Sequence, residues 1–138
     1  MKIFNNVPAL NKVANGLSIK NSLAIDTGEL VYFSGWAGVD LESGVLLEGG
    51  DIEEHAKSAL DAYELILEEA GLSLDNVVKV NCFLADPVND FPAWNEVFKA
   101  RFNQPYPCRT TVGAPLVAGR IEIEIVASKS SRLRASAV

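Results

Sequence analysis

The sequence predicts an α+β domain: one mixed β-sheet with two helices packed on one face. Three observations carry this. Strand-like and helical runs do not alternate strictly; their order is β-β-β, long helix, β, shorter helix, β-β, which suits a mixed sheet with segregated helices. Asp51 to Ala70 places its apolar residues at helical spacing on one face, so that face must be covered. Pro107 to Lys129 holds two runs of strict alternation around a turn-rich connection, and strands send successive side chains to opposite faces. The chain has 138 residues without repeat or linker, so residues 1–138 are expected to form one domain with a proper core.

Residues 1 to 20 say least: Lys2 to Phe4 reads as a short strand and Asn15-Gly16 as a turn. Ser22 to Asp26 and Leu30 to Ser34 flank Thr27-Gly28-Glu29 and predict a β-hairpin. Its second strand runs out at Ser34-Gly35-Trp36-Ala37-Gly38, where glycines permit close approach of the backbone to a neighbour or a ligand. Residues 39 to 50 read as a loop. Asp51 with Glu54 three residues on predicts a capping box, and Gly71 a helix stop. Ile52, Ala56, Ala59, Leu60, Tyr63, Leu67 and Ala70 form the apolar face; Glu53, Lys57, Asp61, Glu64 and Glu68 form a solvated one. Val77 to Leu84 predicts a strand broken at Asp86-Pro87. Asn89-Asp90 opens the second helix, with Pro92 in its first turn and Ala93, Trp94, Val97, Phe98 and Phe102 as its stripe; Asn95 lies beside them. Residues 129–138, rich in Ser, Arg and Ala from Ser130 onward, are expected to fray.

Acidic residues outnumber basic ones by 18 to 12, which argues against nucleic-acid binding through clustered Lys and Arg. No apolar run approaches the ~20 residues of a membrane span, and the amino end lacks the apolar core of a secretion signal. Cys82 and Cys108 sit inside strand-like runs and read as two reduced, buried thiols. The one histidine, His55, reads as a surface residue of the long helix. These residues make no zinc site, and the expectation is a cytoplasmic protein without cofactor or metal.

In the final stretch Cys108, Thr110 and Val112 alternate with Arg109 and Thr111, and Ile121, Ile123 and Ile125 with Glu122 and Glu124. A guanidinium and two carboxylates are thus expected to rise from neighbouring strands, opposite the most apolar residues. That set suits an enzyme handling a small carboxylate. Arg109 with Glu122 as a plain cross-strand ion pair, worth about 0.2–1 kcal/mol, is the competing reading. A sheet covered on one face leaves the other in need of a partner, which predicts a closed homo-oligomer.

Several segments together carry a family likeness: Leu30 to Gly35 (L-V-Y-F-S-G), Glu68 to Leu72 (E-E-A-G-L), V-V-K-V-N-C-F-L-A-D, N-D-F-P-A-W-N-E-V-F, and P-C-R-T-T-V followed by I-E-I-E-I-V-A. In this order and spacing the chain resembles the reactive intermediate deaminase (Rid, YjgF-type) family over nearly its whole length. The resemblance implies a fold like the trimeric bacterial chorismate mutases, with a central β-barrel core and ligand sites in clefts between subunits. It implies hydrolysis of enamine and imine intermediates, such as 2-aminoacrylate, to a 2-keto acid and ammonia. Such intermediates leak from pyridoxal-phosphate enzymes, and clearing them is metabolite damage control.

By that resemblance Arg109 clamps the substrate carboxylate and Glu122 positions the attacking water, with Glu124 as the in-strand alternative. Ser34, Gly35 and Asn95 contact substrate or water. The family tyrosine of a G-P-Y-S pattern is replaced here, in Ile19-Lys20-Asn21-Ser22, by Asn21, and the connection between the last two strands is short. With Trp36 nearby, these departures also admit a pathway-specific deaminase of a larger substrate such as 2-aminomuconate. A regulatory module that binds keto acids without turnover is a further reading. Ribonuclease activity, also attached to the family, fits the acidic balance least.

Overall fold

The computed structural model describes residues 1–134. In chain order the elements are β1 (Lys2–Phe4), α1 (Pro8–Gly16), β2 (Ala24–Asp26), β3 (Leu30–Phe33), β4 (Trp36–Ala37), β5 (Val39–Asp40), β6 (Val45–Leu46), α2 (Ile52–Glu69), β7 (Val77–Leu84), α3 (Pro87–Arg101), β8 (Cys108–Gly113) and β9 (Ile121–Ser128). The main sheet runs β1-β2-β3-β9-β7-β8, with β4 also pairing β9; β5 and β6 form a separate hairpin. Only β7 and β8 pair in parallel, joined by the α3 crossover; the other pairings are antiparallel. This is the predicted mixed α+β sheet.

The core lies between the sheet and helices α2 and α3. Val80, Cys82 and Leu84 of β7 and Ile121, Ile123 and Ile125 of β9 are buried against Ala56, Ala59, Leu60, Tyr63, Ile66 and Leu67 of α2 and Trp94, Val97 and Phe98 of α3. Local chemistry sets the helix ends as expected. Asp51 accepts from the Glu54 amide at 2.9 Å while Glu54 accepts from the Asp51 amide, a complete capping box. Gly71 follows α2 at φ +75°, a conformation glycine takes without steric cost. The Tyr63 hydroxyl lies between the carbonyl oxygens of Ser34 (2.7 Å) and Ile123, tying α2 to the exit of β3 and to β9. Burial raises this phenol's pKa well above its ordinary value.

Four expectations need correction. There are three helices, not two: α1 starts at Pro8 and buries Leu10 and Val13. It has no side-chain cap and packs on the β5–β6 hairpin, so only tertiary contact reveals it. Pro92 lies in the interior of α3, because the helix starts at Pro87, capped by Asp86. His55 is wholly buried rather than on the surface. The tail does not fray at Ser130. Arg132 is buried in a 3-10 turn, Arg132–Arg134; residues 135–138 fall outside the described ones.

Arg132 docks the tail through its guanidinium. It donates to the carbonyls of Pro105 and Leu74 (2.6 Å each), Asn103 (2.8 Å) and Val77 (3.2 Å). Hydrogen bonds from a charged donor contribute about 1.5–3 kcal/mol each when a partner is removed, although shared loss is less than additive. Urea unfolding at fixed protein concentration is therefore expected to show Arg132→Ala destabilised by about 2–4 kcal/mol. Arg134→Ala, two residues on, is expected to stay within about 0.5 kcal/mol of the parent.

Candidate active site

Arg109 lies on β8, the edge strand beside β7. In register it sits beside Val80, which in turn faces Ile125 across β7 and β9. It therefore points to the helix-covered face. Its Nη2 donates to Asn95 Oδ1 of α3 at 2.8 Å. The guanidinium carbon stands 4.4 Å from the centroid of the Phe98 ring and 5.6 Å from that of Phe91, within cation–π range. Nη1 is buried without a hydrogen-bond partner among the described residues. Trp94 fixes the same corner by donating from Nε1 to Thr111 Oγ1 at 3.2 Å. A cation is thus oriented by one amide and by aromatic rings, and retains an unused donor. Since buried polar groups are nearly always paired, such a donor asks for an acceptor from elsewhere.

Glu122 lies on the other face of the sheet. It alternates with the buried Ile121 and Ile123 on β9 and pairs in register with Ala37 of β4. It lines a cavity of about 140 Å³ with Asn21 and Gly35. The remaining wall is mostly aliphatic, including Val13, Leu17, Ile19, Leu46 and Leu116. Gly35 lies close against the carboxylate: a Cβ on it would stand 3.3 Å from Glu122 Oε1, so a larger residue would require Glu122 to shift. Glu124, on the same face, accepts from Asn81 Nδ2 at 2.8 Å and does not line the cavity.

The sequence-derived candidates therefore fall into two groups. Asn21, Gly35 and Glu122 share one cavity; Asn95 and Arg109 share one hydrogen bond. Ser34 belongs to neither. Its hydroxyl donates to the Ser22 carbonyl at 2.6 Å and closes the hairpin. Asn95 turns its oxygen to Arg109 rather than to open space.

Two expectations fail outright. β8 and β9 are not neighbours, because β7 runs between them. Arg109 and Glu122 project from opposite faces, so they form no cross-strand ion pair. The error has a local cause: Glu122 does lie opposite the most apolar residues of its strand, but in β8 it is Cys108, Thr110 and Val112 that face outward and are exposed. Cys108 is accordingly an exposed thiol, not a buried one, whereas Cys82 is buried. Burial pushes the Cys82 thiol up to about 12, with Arg109 opposing weakly, so it is no nucleophile near neutrality.

Sequence reading missed the aliphatic wall, because it comes from α1, the β5–β6 hairpin and the β8–β9 connection. Among the described residues no cluster of three or more His, Cys, Asp or Glu is arranged to hold a metal ion.

The family model described as Endoribonuclease L-PSP matches residues 17–129. A goat 2-iminobutanoate/2-iminopropanoate deaminase is 42% identical over 117 residues, covering 83% of this chain and 84% of the relative. The human protein of the same name is 41% identical over the same span. Among solved structures, RidA from an Antarctic Psychrobacter superposes with a TM-score of 0.72 at 39% identity, over 79% of this chain and 88% of that one. A Thermotoga maritima structure reaches a TM-score of 0.82 at 33% identity, over 95% and 100%. A half-buried, ring-stacked arginine on an edge strand and a cavity glutamate on the I-E-I-E strand thus occur in a chain that belongs to the Endoribonuclease L-PSP family, the group of the RidA and YjgF proteins.

Proposed function

We propose that the protein is a hydrolytic deaminase of reactive imines and enamines of the 2-aminoacrylate type, releasing a 2-keto acid and ammonia, with its active sites assembled between the chains of a homotrimer. The observation that carries the reading is the unpaired, buried Nη1 of Arg109, beside a guanidinium edge that Asn95 already orients. A planar guanidinium binds a carboxylate through two parallel charge-assisted hydrogen bonds. Glu122 is the complementary half. Because the two point to opposite faces of the sheet, one substrate meets both only where the arginine edge of one chain abuts the cavity of another. The names of the goat and human relatives favour the same chemistry.

Clamping the acid group fixes the adjacent C=N carbon relative to a water at Glu122 and supplies the advantage of proximity. An enamine first tautomerises to the imine. On the protonated imine Glu122 takes a proton as water adds, returns it to the carbinolamine nitrogen, and takes the hydroxyl proton as the C=O forms and ammonia leaves. Glu122 is preferred to Glu124, whose carboxylate is engaged by Asn81. Asn95 acts through Arg109, and the Asn21 amide faces the substrate side chain or the water. A C–O bond replaces a C–N bond with no net change of oxidation state, so the steps need no redox partner.

The cavity favours an uncharged side chain. Aliphatic residues dominate its wall and Glu122 is its charged group, so the second carboxylate of a substrate such as 2-aminomuconate would be desolvated beside a like charge. The net charge of −6 speaks against RNA as substrate. A module that only binds keto acids would have no use for a carboxylate at Glu122. Among the described residues no helix is long and apolar enough to cross a membrane, and a cytoplasmic location completes the proposal; a fission-yeast relative carries "mitochondrial" in its name.

With an imine generated in situ by a dehydratase, keto-acid release is expected to fall at least ~10²-fold in kcat/KM for Arg109→Ala. Glu122→Gln is expected to lose a similar factor, chiefly in kcat; full activity in either variant would remove the mechanism. Unfolding and reassembling the two inactive variants together at equal amounts is expected to restore roughly a quarter of parental activity, by random assortment of protomers in a ring. No recovery would place both residues in a site within one chain. Across straight-chain imines, kcat/KM is expected to rise about fourfold per methylene until the cavity is full, while a side-chain carboxylate lowers it; a preference for the diacid would reverse the specificity reading.

A further inference from the structure

Before the long helix begins its second turn, α2 carries a buried imidazole that the proposed chemistry does not use. His55 has no solvent exposure, and both ring nitrogens have backbone neighbours. Nε2 lies 2.8 Å from the carbonyl oxygen of Gly49, in the loop before α2. Nδ1 accepts from the backbone N–H of Arg120, at the head of β9, at 3.4 Å. A carbonyl only accepts and an amide only donates, so the two contacts together require a neutral ring protonated at Nε2. Gly119, at φ +72°, lies against the same ring: a Cβ there would be 3.2 Å from Nδ1.

Arg120 is held on three sides. Its amide meets His55, its carbonyl accepts from the Ala85 amide at 3.1 Å, and its guanidinium makes a two-bond pair with the buried Asp90 of α3 at 2.8 and 3.1 Å. At the other end of the connection the Ala114 amide donates to the Leu84 carbonyl at 3.0 Å. Between these anchors Leu116, Val117 and Ala118 wall the cavity that holds Glu122, which itself follows Arg120 by two residues. Apart from these anchors the span has little support, and Val117 is fully exposed.

We infer that His55 is a positioning residue: in its neutral Nε2–H form it pins the head of β9, and so sets both the 114–119 wall and Glu122. That it serves deamination rests on the function proposed above; that it orders the loop does not. Protonation would place an N–H at Nδ1 against the Arg120 N–H, two donors facing one another. The charged groups around this junction are Arg120, Asp90 of α3, Asp86 at the cap of α3, Glu48 of the preceding loop, and Asp51 and Glu54 at the start of α2. Asp90 is engaged by Arg120, and Asp86, Asp51 and Glu54 by the two helix caps, while Glu48 has no ion-pair partner among the described residues.

His55 is the chain's single histidine, so ring-nitrogen NMR reads it without assignment. The expected spectrum at neutral pH is the Nε2–H tautomer; an Nδ1–H tautomer or a charged ring overturns the inference. Gln can both donate to Gly49 and accept from Arg120, whereas Leu does neither. Amide exchange at residues 114–119 is expected to accelerate in His55→Leu and to remain slow in His55→Gln. Turnover of the imine follows: kcat/KM falls about tenfold in the Leu variant and is restored in the Gln variant. Unchanged loop exchange in His55→Leu, or accelerated loop exchange in His55→Gln, overturns the proposal. Should the Leu variant fail to fold, the ring spectrum and the Gln variant's loop exchange still decide. Absence of imine turnover in the parent would count against the deaminase reading alone, since loop exchange is measured without substrate.

Discussion

Strand parity governs this molecule. Successive side chains of a strand leave opposite faces of the sheet, and β7 keeps β8 and β9 apart. Arg109 is therefore committed to the face under α3, and Glu122 to the opposite face, where α1 walls part of its cavity. No rotamer change brings them together through a sheet whose middle is filled by Val80, Cys82 and Ile123, all buried. Everything proposed about assembly follows from this separation. If the two groups share a substrate, a second chain must bring one of them. The open face also shows what a partner would meet. Lys79 donates to Thr110 and Asn81 to Glu124 along it, while Tyr32 and Val112 stand exposed. Such a surface is polar enough to be soluble and patterned enough to specify one docking geometry.

The arginine's environment explains how a charge persists on the covered side. Guanidinium is weakly hydrated and planar, so an aromatic face replaces part of its water shell. Phe98 supplies that face and is itself held in a row, 5.8 Å from Trp94 and 4.8 Å from Phe102 between centroids. Asn95 then fixes the rotation of the fork. The orientation of one cation thus depends on the aromatic stripe of α3, and the stripe depends on the helix starting where Asp86 caps it. Removing the amide of Asn95 would leave the charge in place and free its angle. For this reason Asn95 is better understood as an orienter than as a ligand contact.

Much of this fold was readable from the chain. The Asp51–Glu54 box, the Gly71 stop, the hairpin about Thr27-Gly28-Glu29 and the alternation of β9 are local signals, and each element formed where its chemistry lay. What was not readable depends on contacts distant in sequence. α1 has no side-chain cap and only two buried residues, so its one local signal is Pro8 at the first helical position. The order of β7, β8 and β9 is set by a crossover rather than by a turn, so adjacency in sequence does not make the last two strands neighbours. Arg109 misled because a strand pattern shows that two faces alternate but not which one is covered; in β8 the more apolar set is the outer one. His55 failed for a related reason. A histidine near the start of an amphipathic helix reads as polar surface until two loops, 47–50 and 114–120, close over it. For the candidate site residues the sequence shows which groups could do chemistry but not how they are placed.

Two buried side-chain nitrogens lack partners among the described residues: Arg109 Nη1 and Trp36 Nε1. Each belongs to a different half of the candidate site, since Trp36 lines the Glu122 cavity. A chance distribution of packing defects would have no reason to choose these two places in a chain that satisfies its other demanding groups, such as Arg132 with four carbonyls and Asp90 with two guanidinium nitrogens. Leaving a buried donor unpaired costs about 1–3 kcal/mol, and that cost is recovered only when something outside the single chain supplies an acceptor. A carboxylate at Arg109 would do so in one half. In the other, the acceptor for the indole would come from the substrate, a water or the facing chain, all of which reach it from the same side as Glu122. The unpaired donors and the parity of the strands therefore point the same way from independent directions: each half is incomplete by itself, as the proposed assembly between chains requires.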